Sequence, residues 1–223
     1  MVQPSSIIRS KRKTLSITIT KNGEVVVKAP LKISDTKIYE FVNSKEKWIC
    51  EKLASVQKNI AEFDDVIKYD KLLVFGDKYK PIYAYVRKID IDDYGKILIP
   101  RKYATPDKVY RATKNWYKNL AKDFVLQRVN KLAEYARLQP NKVRINDSRG
   151  RWGACTQRGE IILNFRVSML PPKLLDYVIF HELSHLVEMN HSVKFWNVLS
   201  SIMPDCLQAR REIKKYGFCL SLF

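Results

Sequence analysis

The sequence predicts an α+β fold in which short strands and amphipathic helices follow each other along the chain. Three observations lead to this class. Alternating apolar residues around an Asn-Gly pair near the beginning indicate a β-hairpin. Apolar residues then recur at three- and four-residue intervals over two long stretches, which is typical of amphipathic helices. A second hairpin pattern comes before a mostly apolar helix that carries all three histidines of the chain.

The N-terminal region begins with the first hairpin. Residues 15–20 and 24–29 are its predicted strands, with Lys21-Asn22-Gly23 as the turn. Ser34 opens a helical stretch, and Ser44 is a candidate cap of a second helix inside it. This helix-turn-helix pattern would fit DNA binding. Packing of two amphipathic helices on the hairpin is the commoner reason for such a pattern.

Three short strands are predicted after these helices, and we expect them to pair antiparallel. They cover residues 72–75, 80–86 and 96–99, and the last two are separated by a turn at Asp92-Asp93-Tyr94-Gly95. A domain boundary near residue 103 fits the change back to a helical pattern.

The C-terminal half is predicted to alternate helices and strands around the histidine helix. In order, we expect a long helix over 107–136 closed by Pro140, a strand over 142–146, a hairpin of 152–155 and 160–165, the histidine helix starting at Pro171-Pro172, a short helix after His191, and a basic helix over 205–216 beyond Pro204.

The histidine motif is Phe180-His181-Glu182-Leu183-Ser184-His185. On a helix, His181 and His185 lie on one face, one turn apart. H-E-x-x-H is the pattern in which zinc hydrolases use the two histidines as ligands and the glutamate, here Glu182, as general base. The pattern also arises by chance. Its apolar flanks and the lack of histidines elsewhere in the chain favour a metal site.

His191, six residues after His185, is the predicted third ligand. A helix that ends near Met189 and turns back at Asn190, with Asn190 in the left-handed conformation, would bring His191 to the same metal. Glu188 is the alternative ligand if the helix continues instead. Three imidazoles leave one coordination position open and favour zinc among the divalent metals.

Composition predicts a cytoplasmic protein without membrane association. The 223-residue chain has a hydrophobic fraction of 46%, which is normal for a globular protein. No apolar run approaches the roughly 20 residues of a membrane span, and the basic N-terminus lacks the apolar segment of a signal peptide. The four cysteines are widely spaced and suggest neither a disulfide framework nor metal ligands.

The chain is strongly basic, with 41 Lys and Arg against 23 Asp and Glu and a net charge of +18. Such a charge attracts polyanions, which makes DNA a candidate partner. The basic residues are scattered, however, and no aromatic–basic recognition motif stands out. The alternative function is therefore a basic nucleic-acid-binding protein whose metal site is structural or dormant. The sequence does not predict an oligomeric state.

Three segments resemble the YgjP-type metallopeptidases, a family of small zincins. They are Ser148-Arg149-Gly150-Arg151-Trp152-Gly153-Ala154-Cys155, then Ile162-Leu163-Asn164-Phe165-Arg166, then the histidine helix through Asn190-His191-Ser192 to Phe195-Trp196. The family pattern is R-W-G-S-C, then N-x-R-L, then H-E-L-x-H-x-x-x-x-N-H-x-x-x-F-W. This chain has Ala154 for the serine and Val167 after the arginine. Neither departure affects a predicted ligand or base.

The resemblance implies a zinc-dependent metallopeptidase that hydrolyses peptide bonds in protein or peptide substrates. It assigns one zinc ion to His181, His185 and His191, and it assigns catalysis to Glu182, which would activate a zinc-bound water. The family is related to the SprT-like proteases, which cleave proteins crosslinked to DNA. DNA-associated proteins are therefore candidate substrates, by analogy.

The resemblance also implies a zincin-like core over residues 104–223, made of the active-site helix and a small antiparallel sheet. Residues 1–103 would form an N-terminal β/α region, either separate or integral to one domain. By the same resemblance, the edge of strand 160–165 would bind the substrate backbone by β-addition, unless it is an ordinary internal strand. The oxyanion requires a further stabilising group. Its candidates are Arg149, Arg151, Arg166, Tyr177 and Tyr216.

Overall fold

The computed structural model describes residues 2–20, 22–92, 94–103 and 105–223. Lys21 and Asp93, which belong to predicted turns, and Ala104, beside the predicted boundary, lie outside the described residues. Contacts divide the chain into two units, Met1–Ile67 and Lys68–Phe223. The predicted domain boundary near residue 103 stays a prediction.

The first unit contains three strands and two helices. They are β1 (Ser6–Ser10), β2 (Ser16–Ile19), β3 (Val25–Pro30), α1 (Asp35–Ser44) and α2 (Glu46–Ile67). β2 and β3 pair antiparallel, which confirms the predicted hairpin. β1 was not predicted, and it pairs parallel with the other edge of β3.

The core of the first unit lies between this sheet and its helices. Alternate residues of β3, namely Val25, Val27 and Ala29, are buried together with Ile38 and Val42 of α1 and Ile49 of α2. Alternation places these β3 side chains on one face of the sheet, where the apolar faces of the helices cover them. The packing interpretation of the two helices is therefore confirmed.

The two predicted caps of these helices differ in outcome. The Ser34 hydroxyl accepts a hydrogen bond from the Lys37 N–H at 3.4 Å and caps α1, as expected. The prediction that Ser44 caps a second helix is wrong. Ser44 is the last residue of α1, and its hydroxyl donates to the Phe41 carbonyl at 2.8 Å. Because α2 begins at Glu46, the position that precedes it is Lys45, and Ser44 lies one residue too early to be the N-cap.

The second unit contains the remaining elements. They are β4 (Leu72–Val74), β5 (Asp77–Tyr79), β6 (Pro81–Ala84), β7 (Asp90–Ile91), β8 (Ile97–Pro100), α3 (Pro106–Leu120), a π-helical turn (Ala121–Val125), α4 (Leu126–Ala136), β9 (Lys142–Asn146), β10 (Gly153–Cys155), β11 (Glu160–Asn164), a 3₁₀ turn (Phe165–Met169), α5 (Pro172–Ser184), α6 (Val193–Ile202), α7 (Cys206–Glu212) and a C-terminal 3₁₀ segment (Ile213–Ser221). The mixture of helices and small sheets confirms the α+β class.

The strands between residues 72 and 100 do not form the predicted antiparallel set. β4 pairs with β5 in a separate two-stranded ladder. β6 pairs parallel with β8, and only the short β7 runs antiparallel to β8. The prediction is wrong about direction because alternating apolar residues identify a strand without specifying the direction of its partner.

The sheet next to α5 has the strand order β10-β11-β9. β10 and β11 form the predicted antiparallel hairpin, and β9 pairs parallel with the far side of β11. The sheet is therefore mixed rather than purely antiparallel. β11 has neighbours on both sides, so the prediction that its edge receives a substrate strand is wrong. β10 is the edge strand on the side of the histidine helix.

Helix α5 is buried on most of its surface. It begins at Pro172, as predicted, and packs against α4, α6, α7 and β10. Arg128 of α4 makes a bidentate ion pair with Asp176 of α5, with N–O distances of 2.7 and 2.6 Å. Among the described residues, no helix is long and apolar enough to cross a membrane.

Candidate metal centre

The structure brings the three predicted histidine ligands together at the C-terminal end of α5. His181 lies in the last turn of α5, His185 caps the helix, and His191 precedes α6. Their ring centroids are 4.8 to 5.0 Å apart. One ring nitrogen from each histidine lies within 4.8 Å of the other two, and the Nε2 atoms of His181 and His191 are 3.0 Å apart.

The route from α5 to His191 differs from the predicted one. α5 ends at Ser184 rather than near Met189, and Asn190 does not adopt a left-handed conformation. The chain instead makes a tight turn in which the N–H groups of Val187 and Glu188 both donate to the Ser184 carbonyl at 3.1 Å. The predicted helix end near Met189 and the predicted left-handed Asn190 are therefore both wrong. The turn itself supplies N–H donors to the Ser184 carbonyl at the helix end, so no left-handed residue is needed there.

Phe195 of α6 supports all three imidazoles. Its ring is fully buried, and its centroid lies 4.9, 4.5 and 4.7 Å from the ring centroids of His181, His185 and His191. A rigid aromatic ring behind the cluster limits the rotation of each imidazole and excludes water from that side. The role of Phe195 was not predicted, although the motif includes this residue.

Burial and a hydrogen bond keep the imidazoles of His181 and His185 in a form that can bind a metal. His185 Nδ1 lies 3.0 Å from the Glu188 carbonyl, which leaves Nε2 to face the cluster. Burial, with smaller contributions from the charges of the other two histidines and Arg210, lowers the pKa of His181 to about 3. Burial also lowers the pKa of His185. Neutral imidazoles present a lone pair, as metal ligation requires.

The donor set fits a divalent metal ion. Two Nε2 atoms at 3.0 Å cannot both carry a proton, so at least one presents a lone pair to the cluster. His181 Nδ1 is buried and has no hydrogen-bond partner among the described residues. Among the described residues, the side chains that could hold a metal ion together are the three histidines. Glu188, the alternative ligand, uses its carboxylate to accept a hydrogen bond from the Asn190 N–H at 3.3 Å.

Glu182 faces the edge strand β10 from within α5. Its side chain is only 6% exposed. Burial raises the pKa of Glu182 to about 8, and the positive charge of Arg151 offsets part of this effect. A carboxyl group with this pKa takes up and releases a proton near neutral pH, which suits a general acid–base group.

Gly153 of β10 makes room for the Glu182 carboxyl. A Cβ atom built on Gly153 would lie 2.7 Å from Glu182 Oε1 and 2.8 Å from its Cγ. Any side chain at this position would collide with the carboxyl. This role of Gly153 was not predicted, although the residue belongs to the first of the three motif segments. A glycine inside a strand is itself a signal of a close approach by another group.

β10, the strand next to Glu182, has N–H and C=O groups on its outer edge that do not pair with β11. The Trp152 carbonyl accepts from the Asn164 N–H at 2.8 Å, and the Thr156 N–H donates to the Glu160 carbonyl at 2.9 Å. In an antiparallel ladder the intervening residues direct their N–H and C=O groups outward. These residues are Gly153 and Cys155. Among the described strands, β10 pairs with β11 alone.

The loop before β10 is held in place by Asn164, the asparagine of the segment Ile162-Leu163-Asn164-Phe165-Arg166. Asn164 is buried, and its side-chain amide donates to the carbonyl groups of Ser148 and Arg151 at 2.5 and 3.0 Å. These bonds tie the loop to the end of β11. They thereby position Arg151 and the start of β10 beside Glu182.

Arg166, a candidate for oxyanion stabilisation, has a structural role instead. Its side chain is fully buried. Its donors reach the carbonyl of Leu222 at 2.6 Å, the carbonyl of Phe223 at 2.5 Å, and Asp147 at 2.9 Å. Because these partners occupy the guanidinium away from solvent, Arg166 cannot reach a substrate.

Two other candidates lie beside the site. Arg151 is close enough for its charge to lower the pKa of Glu182. The Tyr177 ring centroid is 5.8 Å from that of His181. Burial raises the pKa of Tyr177 to about 12, so its hydroxyl remains a hydrogen-bond donor at neutral pH. Arg149 and Tyr216 stay predictions.

The α+β fold and the H-E-x-x-H helix bring together three imidazoles that could hold a metal ion. The family described as YgjP-like, metallopeptidase domain, matches residues 13–216. Because this match spans most of the sequence, the chain belongs to the YgjP-like metallopeptidase family. The resemblance carried by the three motifs is confirmed. Membership supports a hydrolase that acts on proteins or peptides and uses a metal ion.

Two further comparisons complete this result. No curated protein matches the chain significantly. Among solved structures, the chain is similar to the crystal structure of the metallopeptidase zymogen of Pyrococcus abyssi abylysin. The sequences are 23% identical, the TM-score is 0.37, and the similarity covers 41% of this chain and 94% of that chain.

Proposed function

We propose that the chain is a zinc-dependent metallopeptidase in which His181, His185 and His191 hold one zinc ion and Glu182 is the general base. The observation that carries this proposal is the convergence of three imidazole nitrogens within 4.8 Å, next to a buried carboxyl group. Three neutral imidazoles are the ligand set of some catalytic zinc sites and leave room for a substrate or water. The zincin-like architecture implied by the resemblance is part of the same proposal.

The protein groups have separate tasks in this reaction. A bound zinc ion would polarise the scissile carbonyl and increase the acidity of water. Glu182 would accept a proton on its carboxylate and transfer it to the leaving amine. Burial keeps the Glu182 carboxyl out of bulk water between the two transfers. Arg151 and Tyr177 are the candidates for stabilising the oxyanion.

The substrate would bind as an extended strand along β10. The outward N–H and C=O groups of Gly153 and Cys155 offer main-chain hydrogen bonds to a peptide backbone. The missing side chain at Gly153 allows the β10 backbone and the Glu182 carboxyl to lie close together. This assignment replaces the predicted use of the β11 edge.

The test combines metal content with peptide hydrolysis. Wild type should contain about one zinc ion per chain by elemental analysis and should cleave an unstructured protein substrate. Glu182→Gln should keep the zinc and lose hydrolysis, since it retains the shape of the side chain without its basicity. His191→Ala should lose most of the zinc.

Three outcomes would contradict parts of this proposal. Hydrolysis by Glu182→Gln at the wild-type rate would remove Glu182 as the base. Full metal content in His191→Ala would move the third ligand elsewhere, with Glu188 the first to be tested. A wild type that binds no zinc when zinc is offered would overturn the peptidase proposal and favour a nucleic-acid-binding protein with a dormant site.

Cleavage of DNA-associated proteins belongs to this proposal only through the net charge of +18 and the analogy with SprT-like proteases. Binding to DNA that weakens steeply with added salt would support phosphate contacts. No binding at physiological salt would show that the positive charge does not serve DNA binding. The cytoplasmic location and the catalytic core over residues 104–223 are likewise proposed.

A further inference from the structure

A second concave site lies in the Lys68–Phe223 unit, and none of its lining residues belongs to the histidine cluster. It is a groove of about 850 Å³. Its floor includes the adjacent strands β6 and β8, where Tyr83 pairs with Ile99. One wall is the first part of α3. We call it the tyrosine groove after four of its lining residues, Tyr69, Tyr83, Tyr103 and Tyr110.

A polar side chain without a partner lies in the wall of the tyrosine groove. Thr113 of α3 is 2% exposed, and its hydroxyl has no hydrogen-bond partner among the described residues. Buried hydroxyl groups are normally paired, and exceptions need an explanation. A ligand that enters the groove and offers a hydrogen-bonding edge would pair this hydroxyl. The ligand must then combine an apolar or aromatic body with polar edge atoms.

Cations lie over aromatic rings in the segment of residues 85–103, which contains β8 of the groove floor. Tyr85 follows β6 and is 89% exposed. The guanidinium of Arg101, which also lines the groove, lies 4.7 Å from the Tyr85 ring centroid and donates to its hydroxyl at 3.2 Å. Lys102 Nζ lies 5.5 Å from the Tyr103 ring, and Lys96 Nζ lies 5.8 Å from the ring of Tyr94.

The charge around the tyrosine groove is positive. Residues 78–103 include seven Lys or Arg, three Asp and five Tyr. The groove itself is lined by Lys68 and Arg101 against one acidic residue, Asp107. A polyanion would meet the positive charges of Arg101 and Lys102, whereas an apolar peptide offers them no counter-charge. Charge complementarity therefore favours a polyanionic ligand with planar rings.

We propose that the tyrosine groove and the adjoining Tyr85–Arg101 pair bind single-stranded nucleic acid. One base enters the groove and pairs its polar edge with the Thr113 hydroxyl. A neighbouring base stacks on Tyr85, and the phosphates contact Arg101 and Lys102. Aromatic platforms beside a positive groove bind single strands with little sequence preference, because every base has a π-face. In a duplex the bases are stacked inside and cannot reach these rings.

The tyrosine groove has no signature in the sequence, because its parts come together only in the fold. Tyr83 and Arg101 are far apart in the sequence, and the parallel pairing of β6 with β8 brings their segments side by side. The proposal does not depend on the peptidase function, and its test uses binding rather than cleavage.

The experiment measures fluorescence anisotropy of a labelled oligothymidylate of about 15 nucleotides, a length near the site sizes of single-strand-binding folds. Wild type should bind it, with an affinity that falls as salt is raised. The double variant Tyr85→Ala/Arg101→Ala should bind roughly 10- to 100-fold more weakly. The matched control Tyr39→Ala/Arg211→Ala removes an exposed tyrosine and an exposed arginine elsewhere and should bind like wild type.

Thr113→Val tests whether a base occupies the groove. Valine keeps the shape of threonine and removes only the unpaired hydroxyl, so the fold should be kept while binding weakens several-fold. Unchanged binding by Thr113→Val would remove the groove from the binding site. Equal binding of the Tyr85/Arg101 variant and its control would overturn the proposal. So would equal affinity for a duplex of the same length, or no binding by wild type at physiological salt.

Discussion

The close contact between Gly153 and Glu182 allows a sharp test of the proposed catalytic arrangement. Gly153→Ala adds a single methyl group to β10. The new Cβ would lie 2.7 Å from Glu182 Oε1, 2.8 Å from its Cγ and 2.9 Å from its Cδ. The φ angle of Gly153 lies outside the left-handed region, so alanine fits the backbone. The contact with Glu182 is therefore the main cost of the substitution.

The size of the effect follows from these distances. Ordinary van der Waals contact begins at about 3.4 Å, so the carboxyl oxygen must move by roughly 0.7 Å. Glu182 is 6% exposed and has little room to move. A displacement of about 1 Å at a catalytic group costs on the order of 10²-fold in rate. We expect kcat/KM to fall by about 10- to 100-fold and the free energy of unfolding by about 1–3 kcal/mol.

The assay is hydrolysis of an unstructured protein substrate, with zinc measured on the same samples. Gly153→Ala should retain its zinc, because the clashing atoms belong to Glu182 and not to a histidine. Gly217→Ala is the matched control, since a Cβ there meets nothing within 4 Å. Wild-type kcat/KM in Gly153→Ala would refute the reasoning. Loss of zinc would show that the methyl group disturbs the histidine cluster instead.

Three further predictions concern stability. Burial alone would raise the pKa of Asp147, but hydrogen bonds from three basic side chains lower it to about 2. Its ion pairs should therefore stabilise the fold above about pH 4 and lose about 1–2 kcal/mol as pH falls toward 2, and urea unfolding of Asp147→Asn should lack most of this pH dependence. Arg166→Met should cost about 3–5 kcal/mol in the same assay, because it leaves buried acceptors unpaired; a cost below 1 kcal/mol would contradict the structural role. Ser34→Ala should cost about 1 kcal/mol by thermal unfolding and more than Ser44→Ala, since only Ser34 caps a helix.

Local patterns in the sequence predicted those elements whose signals are local. The turn containing Asn22-Gly23 identified the β2–β3 hairpin, and Pro172 identified the start of α5. The spacing of His181 and His185 placed both imidazoles on one side of the helix end. Each of these features depends on residues close in sequence, where steric and helical geometry determine the outcome.

Features that depend on distant residues could not be predicted in the same way. β1 is short and mostly exposed, and its parallel partner β3 lies well beyond it in the sequence. The apolar residues Leu186 and Val187 continue the helical period, yet the chain leaves the helix at His185. The hydrogen bond between His185 Nδ1 and the Glu188 carbonyl has no signature in the sequence. At β1 and at the end of α5, tertiary contacts override the local preference of the sequence.

Arg166 couples the stability of the C-terminal segment to that of the central sheet. Its guanidinium joins Asp147 and the end of β11 to the carbonyl groups of Leu222 and Phe223. Detaching residues 222–223 would leave the buried charge of Arg166 without these acceptors, so this segment should stay bound to the sheet. Slow amide exchange would then extend from the strands beside Glu182 to the final 3₁₀ segment as one cooperative unit. The edge strand β10 and the segment of residues 213–223 would open together or remain closed together.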